Sequence, residues 1–328
     1  MATTAVRIAI IDDYQHVALK MADWSRVLER AAIDVYDDTL LDEDAIAARL
    51  EPYAIVCTMR ERTRFPDSLF KKLPSLRLLT TTGVVNRAID LQAAEDRGII
   101  VAGTKGRGNA TLEHIWALIL ATVRFVVQED ANVKAGKVAW QSTMPMGLSG
   151  RTLGLLGAGR LGQQTAKIAR AFGMRVIAWS PNLTLERAAV ANVDFAASKE
   201  QLLKESDILS VHMVLSEATR HLLKAEDLAL MKPSSFLINT SRGPIVDEQA
   251  LIDVLKAGKI AGAGLDVFDI EPLPLDHPIR KLTNVTLSPH TGYLSDLNYH
   301  EFWGHTVQNI NAFLDGERDQ ITLLKSPP

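Results

Sequence analysis

The sequence predicts an α/β fold made of two doubly wound parallel sheets, and three observations predict it. Short apolar runs alternate with amphipathic segments along nearly the whole chain. The runs fall into two series, and a glycine-rich turn between an apolar run and a helical pattern opens the second series in mid-chain. Alternation of this kind builds parallel sheets covered by helices on both faces. A single barrel shares the alternation, but the mid-chain turn starts a fresh unit and favours two sheets. The 328 residues suffice for two cores of ordinary domain size.

The first strand is expected over residues 8–11. The run Val6-Arg-Ile-Ala-Ile-Ile11 meets Asp12 and Asp13 at once, too short and too soon acidic for a signal peptide. Strands at 33–36, 54–57, 76–80 and 99–101 complete the first series, with a helix over 90–97. Gly103, Gly106 and Gly108 then interrupt the pattern. The next helix, over 109–127, is apolar on nearly every side (Ile115, Trp116, Leu118, Ile119, Leu120), the pattern of a helix buried at an interface. The second series places strands at 152–156, 175–178, 208–211, 235–239, 262–267 and 285–287, with helices over 162–172 and 248–257. A last helix over 297–314 returns to the first domain. The expected domains are therefore 1–103 plus 294–328, and 104–293, with the cleft between them as the default ligand site.

Composition bounds the function. A net charge of −3 gives no general pull toward nucleic acid or an anionic membrane, and no apolar run approaches the length of a membrane span. Cys57 is the one cysteine, so an internal disulfide framework and a multi-cysteine metal site are excluded; no metal is expected. A lone thiol fits a reducing compartment, and a cytoplasmic location is the expectation.

The segment Arg151-Thr-Leu-Gly-Leu-Leu-Gly-Ala-Gly-Arg-Leu-Gly162 carries the most information. Gly157, Gly159 and Gly162 have the G-x-G-x-x-G spacing between a strand and a helix, the context a dinucleotide needs. The first glycine permits the tight turn, the second lets backbone approach a pyrophosphate, and the third lets helix pack on strand. The helix N-terminus, with Arg160 and Leu161, then offers unpaired N–H groups to phosphate. Other strand ends hold Asn239-Thr-Ser-Arg-Gly-Pro-Ile-Val-Asp-Glu248, Gly264-Leu-Asp-Val-Phe-Asp-Ile-Glu-Pro272 and Ser288-Pro-His-Thr-Gly292. Ligand sites in open parallel sheets lie at the carboxyl ends of strands, which gathers Arg242, Asp266, Glu271 and His290 at one rim, with Thr240 read as a cofactor contact.

These stretches together resemble the D-2-hydroxyacid dehydrogenase family over essentially the whole chain. The resemblance implies a flavodoxin-like substrate domain and a Rossmann cofactor domain. It also implies a substrate-binding Arg242, a Glu271 paired with His290, and His290 as acid/base. Asp266 matches an aspartate that contacts the nicotinamide end, and Thr82-Gly83-Val84-Val85-Asn86 matches a loop whose N–H groups hold the substrate carboxylate. A homodimer through the nucleotide domain is implied as well, by way of the 109–127 helix and an arm over 133–140.

The residue chemistry agrees with this. Hydride transfer to a 2-oxo acid leaves negative charge on the carbonyl oxygen; a histidine titrates in the range needed to protonate it, and a carboxylate beside it fixes its tautomer. A guanidinium can fork onto carboxylate and carbonyl oxygens. Each residue alone has a bland reading: His290 as a core histidine, Glu271 as a turn, Arg242 as a loop cap. His114, His212 and His221 are read as structural, His212 with the option of lining the cofactor pocket. Arg60, beyond a strand in Thr58-Met-Arg-Glu-Arg-Thr63, faces either substrate or solvent. The loops around Met59, Val84, Val85 and Tyr293 are expected to set the size of the substrate side chain. An NAD enzyme places an acid about twenty residues past the glycines. Here Ser180 stands there, with Asn182 beyond it and Arg160 or Arg187 as nearby positive charge. Hydroxyl and amide groups can donate to a 2′-phosphate, so the reading leans to NADP over NAD. Two other functions stay open: a nucleotide-sensing binding protein of the corepressor kind, and a dehydrogenase of another small anion such as formate or phosphite.

Overall fold

The computed structural model describes residues 6–326, so residues 1–5 and 327–328 of the expected first domain lie outside the described part. The chain divides into two compact units, Met1–Gly108 with Leu294–Pro328, and Asn109–Tyr293.

The first unit holds a parallel sheet of β1 (Val6–Ile10), β2 (Ala31–Val35), β3 (Ile55–Thr58), β4 (Leu78–Thr81) and β5 (Ile100–Ala102), in the order β2-β1-β3-β4-β5. β3 and β4 are buried along their whole length, which is why their sequences are unbroken apolar and threonine runs rather than alternating ones. The long helix Asp296–Asp315 begins at Ser295, whose hydroxyl accepts the Asn298 N–H, and its Trp303 packs against Trp24 at 6.1 Å between ring centroids. The glycine-rich stretch stays with this unit. Gly103 N–H donates to Thr322 O (2.8 Å), Thr104 N–H to Gly83 O (2.9 Å) and Arg107 N–H to Asn298 Oδ1 (2.7 Å). Residues 104–108 therefore belong to the first unit, five positions beyond the break read from the glycines.

The second unit holds seven parallel strands: β6 (Thr152–Leu156), β7 (Arg175–Trp179), β8 (Asp194–Phe195), β9 (Ile208–Val211), β10 (Phe236–Asn239), β11 (Gly262–Leu265) and β12 (Val285–Leu287). Their order is β12-β11-β10-β9-β6-β7-β8. The chain reverses its direction of growth at β6, which pairs with β7 on one side and β9 on the other. Such a switch point is where open α/β sheets bind ligands. β8 was not legible in the sequence: it is two residues long, begins with Asp194 and has no apolar run.

The expected 109–127 helix is a pair. Ala110–Val123 buries eight residues and packs on β10, β11 and β12. Val126–Lys134 follows at 62° after a break in which Phe125 takes a left-handed conformation, φ 53°. The turned Phe125 ring packs edge-on to Phe236 at 6.1 Å. Apolarity runs through the break because Val126 and Val127 continue the pattern, yet both are exposed. No single helix among the described residues is long and apolar enough to cross a membrane.

Candidate active site

The glycine turn leaves β6 with Gly157 at φ 104°, a conformation that side chains resist. A first side-chain carbon there would stand 2.9 Å from His212 O. Gly157 N–H donates to Trp179 O (2.9 Å), which ties the turn to the end of β7. At Gly162 that carbon would stand 2.5 Å from Gly157 O, so the helix Arg160–Ala171 rides directly on the turn. Gly159, at the helix N-terminus, has open space where a side chain would be. A backbone cradle with a clear approach is what a pyrophosphate requires, and the residues present fit a dinucleotide. Arg160 is exposed and Leu161 packs its half-buried side chain on the core. Ser180 and Asn182 follow β7 at the same sheet edge. Leu183 N–H donates to Ser180 O (3.1 Å), and Arg187 Nη1 to Asn182 O (2.6 Å), which holds a guanidinium beside this loop.

On the other side of the switch point, four strand ends carry the remaining candidates. His212 follows β9; burial pushes its imidazole down to about 4, so it is neutral near pH 7. Thr240 and Arg242 follow β10. Asn239 Nδ2 donates to Arg242 O (3.0 Å), and Asn239 Oδ1 accepts Ser241 N–H (3.0 Å), so the buried asparagine shapes the turn that presents the arginine. Gly243 lies flat on the next loop: a side-chain carbon there would be 2.2 Å from Phe268 C. Phe268 N–H in turn donates to Glu271 Oε1 (2.9 Å), and Glu271 Oε2 lies 2.6 Å from His290 Nδ1. His290 and Glu271 are thus in direct contact, although 19 residues apart, and the Arg242 turn abuts the loop that holds the glutamate. Tyr293 packs edge-on to the His290 ring at 6.0 Å.

Asp266 is 1 % exposed at the end of β11 and collects donors. Its Oδ1 accepts from Ser288 Oγ (2.5 Å) and Thr291 N–H (2.8 Å), and its Oδ2 from Gly292 N–H (2.9 Å). His114 Nε2 lies 3.1 Å from Oδ1 and 3.0 Å from Ser288 Oγ. Burial by itself would raise this carboxyl, but the hydrogen bonds from His114 and Ser288 and the Thr291 N–H together hold it below the usual carboxylate range. His114, read as structural from the sequence, is part of this network. No local signal marks it, because its partner Asp266 lies on another element far along the chain. Among the described residues no group of three or more His, Cys, Asp or Glu is arranged to hold a metal.

The first-unit candidates sit at the ends of β3 and β4. Arg60 is left-handed, φ 52°; its N–H donates to Thr82 Oγ1 (3.1 Å) and its carbonyl accepts Asn86 Nδ2 (2.6 Å). Its guanidinium lies on Gly83, where a side-chain carbon would stand 2.0 Å from Nη1. The Gly83 N–H donates to Thr104 Oγ1 (2.9 Å), so it is committed inside the unit, while Val84 is 45 % exposed. Met59, expected to shape substrate size, is fully buried and accepts a contact from Thr82 Oγ1 at 3.1 Å. It follows directly on β3, all of whose residues are buried.

Residues 116–292 match the model of the "D-isomer specific 2-hydroxyacid dehydrogenase, NAD binding domain" family. The chain is 40% identical over 254 residues to a glyoxylate reductase of Korarchaeum cryptofilum, covering 76% of each chain. It is 36% identical over 256 residues to a hydroxypyruvate reductase of Thermotoga maritima, covering 77% of this chain and 82% of that one. It superimposes on a phosphoglycerate oxidoreductase from Vibrio cholerae with a TM-score of 0.89 and 34% identity, over 95% of this chain and 99% of that one. With the switch-point sheet, the glycine turn and the histidine–glutamate pair already in place, these similarities make the assignment: the chain belongs to the D-isomer specific 2-hydroxyacid dehydrogenase family.

Proposed function

We propose that this protein is a nicotinamide-dependent reductase of small 2-oxo acids, of the glyoxylate or hydroxypyruvate kind, that forms the D-hydroxy acid. The observation that carries the reading is the 2.6 Å contact between His290 Nδ1 and Glu271 Oε2, at the same sheet edge as the glycine turn. A glutamate facing Nδ1 accepts that N–H, which leaves Nε2 to carry the proton that moves. A bound reduced nicotinamide supplies the hydride to the carbonyl carbon. His290 gives its Nε2 proton to the carbonyl oxygen, so a hydroxyl forms and the ring is left neutral. Glu271 fixes the tautomer and the ring orientation. Arg242 forks onto the carboxylate and the carbonyl oxygen and stabilises the charge that develops there. Arg60, Gly83 and Val84 are further substrate contacts, Gly83 through its shape since its N–H is committed to Thr104.

For the coenzyme, Gly157, Gly159, Arg160 and Leu161 hold the pyrophosphate, Thr240 and Asp266 the nicotinamide end. Ser180 and Asn182, with Arg187 held beside them, suit a 2′-phosphate better than a bare ribose, which favours NADP over NAD. The protein acts in the cytoplasm as a homodimer. The dimer reading is supported by Val126, Val127, Val133, Val138, Trp140 and Met144, all exposed along one stretch of chain, since exposed apolar surface favours association. The decisive experiment is a panel of glyoxylate, hydroxypyruvate, pyruvate and bulkier 2-oxo acids, each with NADH and NADPH. Turnover of a small 2-oxo acid, faster with NADPH, is the expected result. Coenzyme binding without turnover on any member would instead favour a nucleotide-sensing role.

A further inference from the structure

We infer that His114 is a positioning residue: it donates Nε2–H to Ser288 Oγ and Asp266 Oδ1 and, through Asp266, holds the turn that presents His290. The inference rests on the reading of His290 as the acid/base.

Hydrogen accounting fixes the direction of the donation. An ionised carboxylate only accepts. Ser288 has one hydroxyl hydrogen, and the 2.5 Å contact to Asp266 Oδ1 uses it. Toward His114, at 3.0 Å, the serine oxygen can therefore only accept. Both neighbours of His114 Nε2 are acceptors, so that nitrogen carries a hydrogen. In the neutral ring this selects the Nε2–H tautomer. Asp266 then takes donors from two directions, the Ala110–Val123 helix through His114 and the 288–292 turn through Ser288, Thr291 and Gly292.

That turn needs holding. His290 sits at φ 52°, a left-handed conformation that a non-glycine residue keeps only when its surroundings impose it. The two N–H groups that follow it, Thr291 and Gly292, both end on Asp266. The turn is also pressed onto the network: a side-chain carbon on Gly292 would stand 3.0 Å from Asp266 Oδ2 and 3.5 Å from His114 Cδ2. His114 is mounted on a helix that buries Leu112, Ile115 and Trp116 around it, so the anchor is rigid. Without the imidazole N–H, Asp266 is free to rotate toward its remaining donors, and the turn that carries His290 moves with it.

The test uses the full chain with ¹⁵N-labelled histidine and the variants His114→Phe, His114→Gln and Ser288→Ala. The ring nitrogens of His114 should report hydrogen on Nε2, and the His290 ring signals should shift in His114→Phe and in Ser288→Ala. With the best substrate of the wild type, kcat in His114→Phe should fall about 10- to 100-fold, the scale of a small misplacement at a reacting group, with the substrate KM changed less than about threefold. Glutamine places an amide N–H near the same point, and His114→Gln should return kcat to within about threefold of wild type. An Nδ1–H tautomer at His114, His290 signals unchanged in the Phe variant, or equal kcat in the Phe and Gln variants would each overturn the inference. Should His114→Phe not fold, the Nε2–H tautomer of His114 in the wild type and the kcat and His290 signals of His114→Gln against His114→Leu decide. If the wild type reduces no 2-oxo acid, the functional reading fails by itself, and the ring-nitrogen measurements still decide the positioning role.

Discussion

At the scale of the residue, the site depends on which atoms face each other. His290 Nδ1 is taken by Glu271 at 2.6 Å, so its other nitrogen is the proposed proton carrier. His290→Ala should lower kcat by about 10²–10⁴-fold, the usual share of a positioned proton donor, while the coenzyme Kd from protein fluorescence stays near wild type. Unchanged turnover would remove the histidine from the mechanism. Coenzyme choice rests on a single side chain of the same kind. Ser180→Asp puts a negative charge where a 2′-phosphate is proposed to lie, and the NADPH/NADH ratio of kcat/KM should swing toward NADH by at least about tenfold, the effect of roughly 1.4 kcal/mol. A ratio that does not move places the phosphate elsewhere.

At the scale of the element, the glycine turn shows how backbone limits sequence. Gly157 combines φ 104° with a neighbouring carbonyl 2.9 Å from where a side-chain carbon would stand. Gly157→Ala must relieve both, at a cost of roughly 1–3 kcal/mol, by moving the turn away from His212. Coenzyme Kd should rise at least tenfold, with a lower Tm; a Kd equal to wild type would mean the turn does not touch the dinucleotide. The strands and the helix after this turn were readable because their patterns are local: a buried parallel strand is an unbroken apolar run, and Arg160–Ala171 keeps one apolar face. The break at Phe125 was not readable. It is fixed by where the ring packs, on Phe236, a contact absent from the linear pattern.

At the scale of the whole molecule, two properties can be measured directly. The exposed side chains from Val126 to Met144, Trp140 at 69 % and Val138 at 99 % among them, are proposed to be covered in a dimer. The double variant Val138→Glu, Trp140→Glu should sediment as a monomer, where the wild type sediments as a dimer; an unchanged mass would locate the interface elsewhere. Stability should also depend on pH through His212. Its folded form takes up a proton only near pH 4, against 6.5 when solvated. Between these values the unfolded chain binds more protons, so this contribution is full above pH 6.5, falls as pH drops toward 4 and changes no further below. The total is at most roughly 3 kcal/mol. Thermal denaturation should show His212→Gln losing less stability than wild type over that interval; parallel curves would show that burial does not depress this imidazole.

The sequence by itself determined the two parallel sheets, the glycine turn and the residue types gathered at strand ends, because each is written in local pattern or in a motif that spans a few residues. The tertiary structure alone decided how those residues meet. The His290–Glu271 pairing, implied by the resemblance, takes its 2.6 Å geometry from loops at neighbouring strand ends, and His114 meets Asp266 because the Ala110–Val123 helix packs on the strand that carries the aspartate. The same fold turned Met59 into the core and spent the Gly83 N–H on Thr104, since burial and hydrogen-bond partners are set by neighbours in space, and no local pattern encodes them.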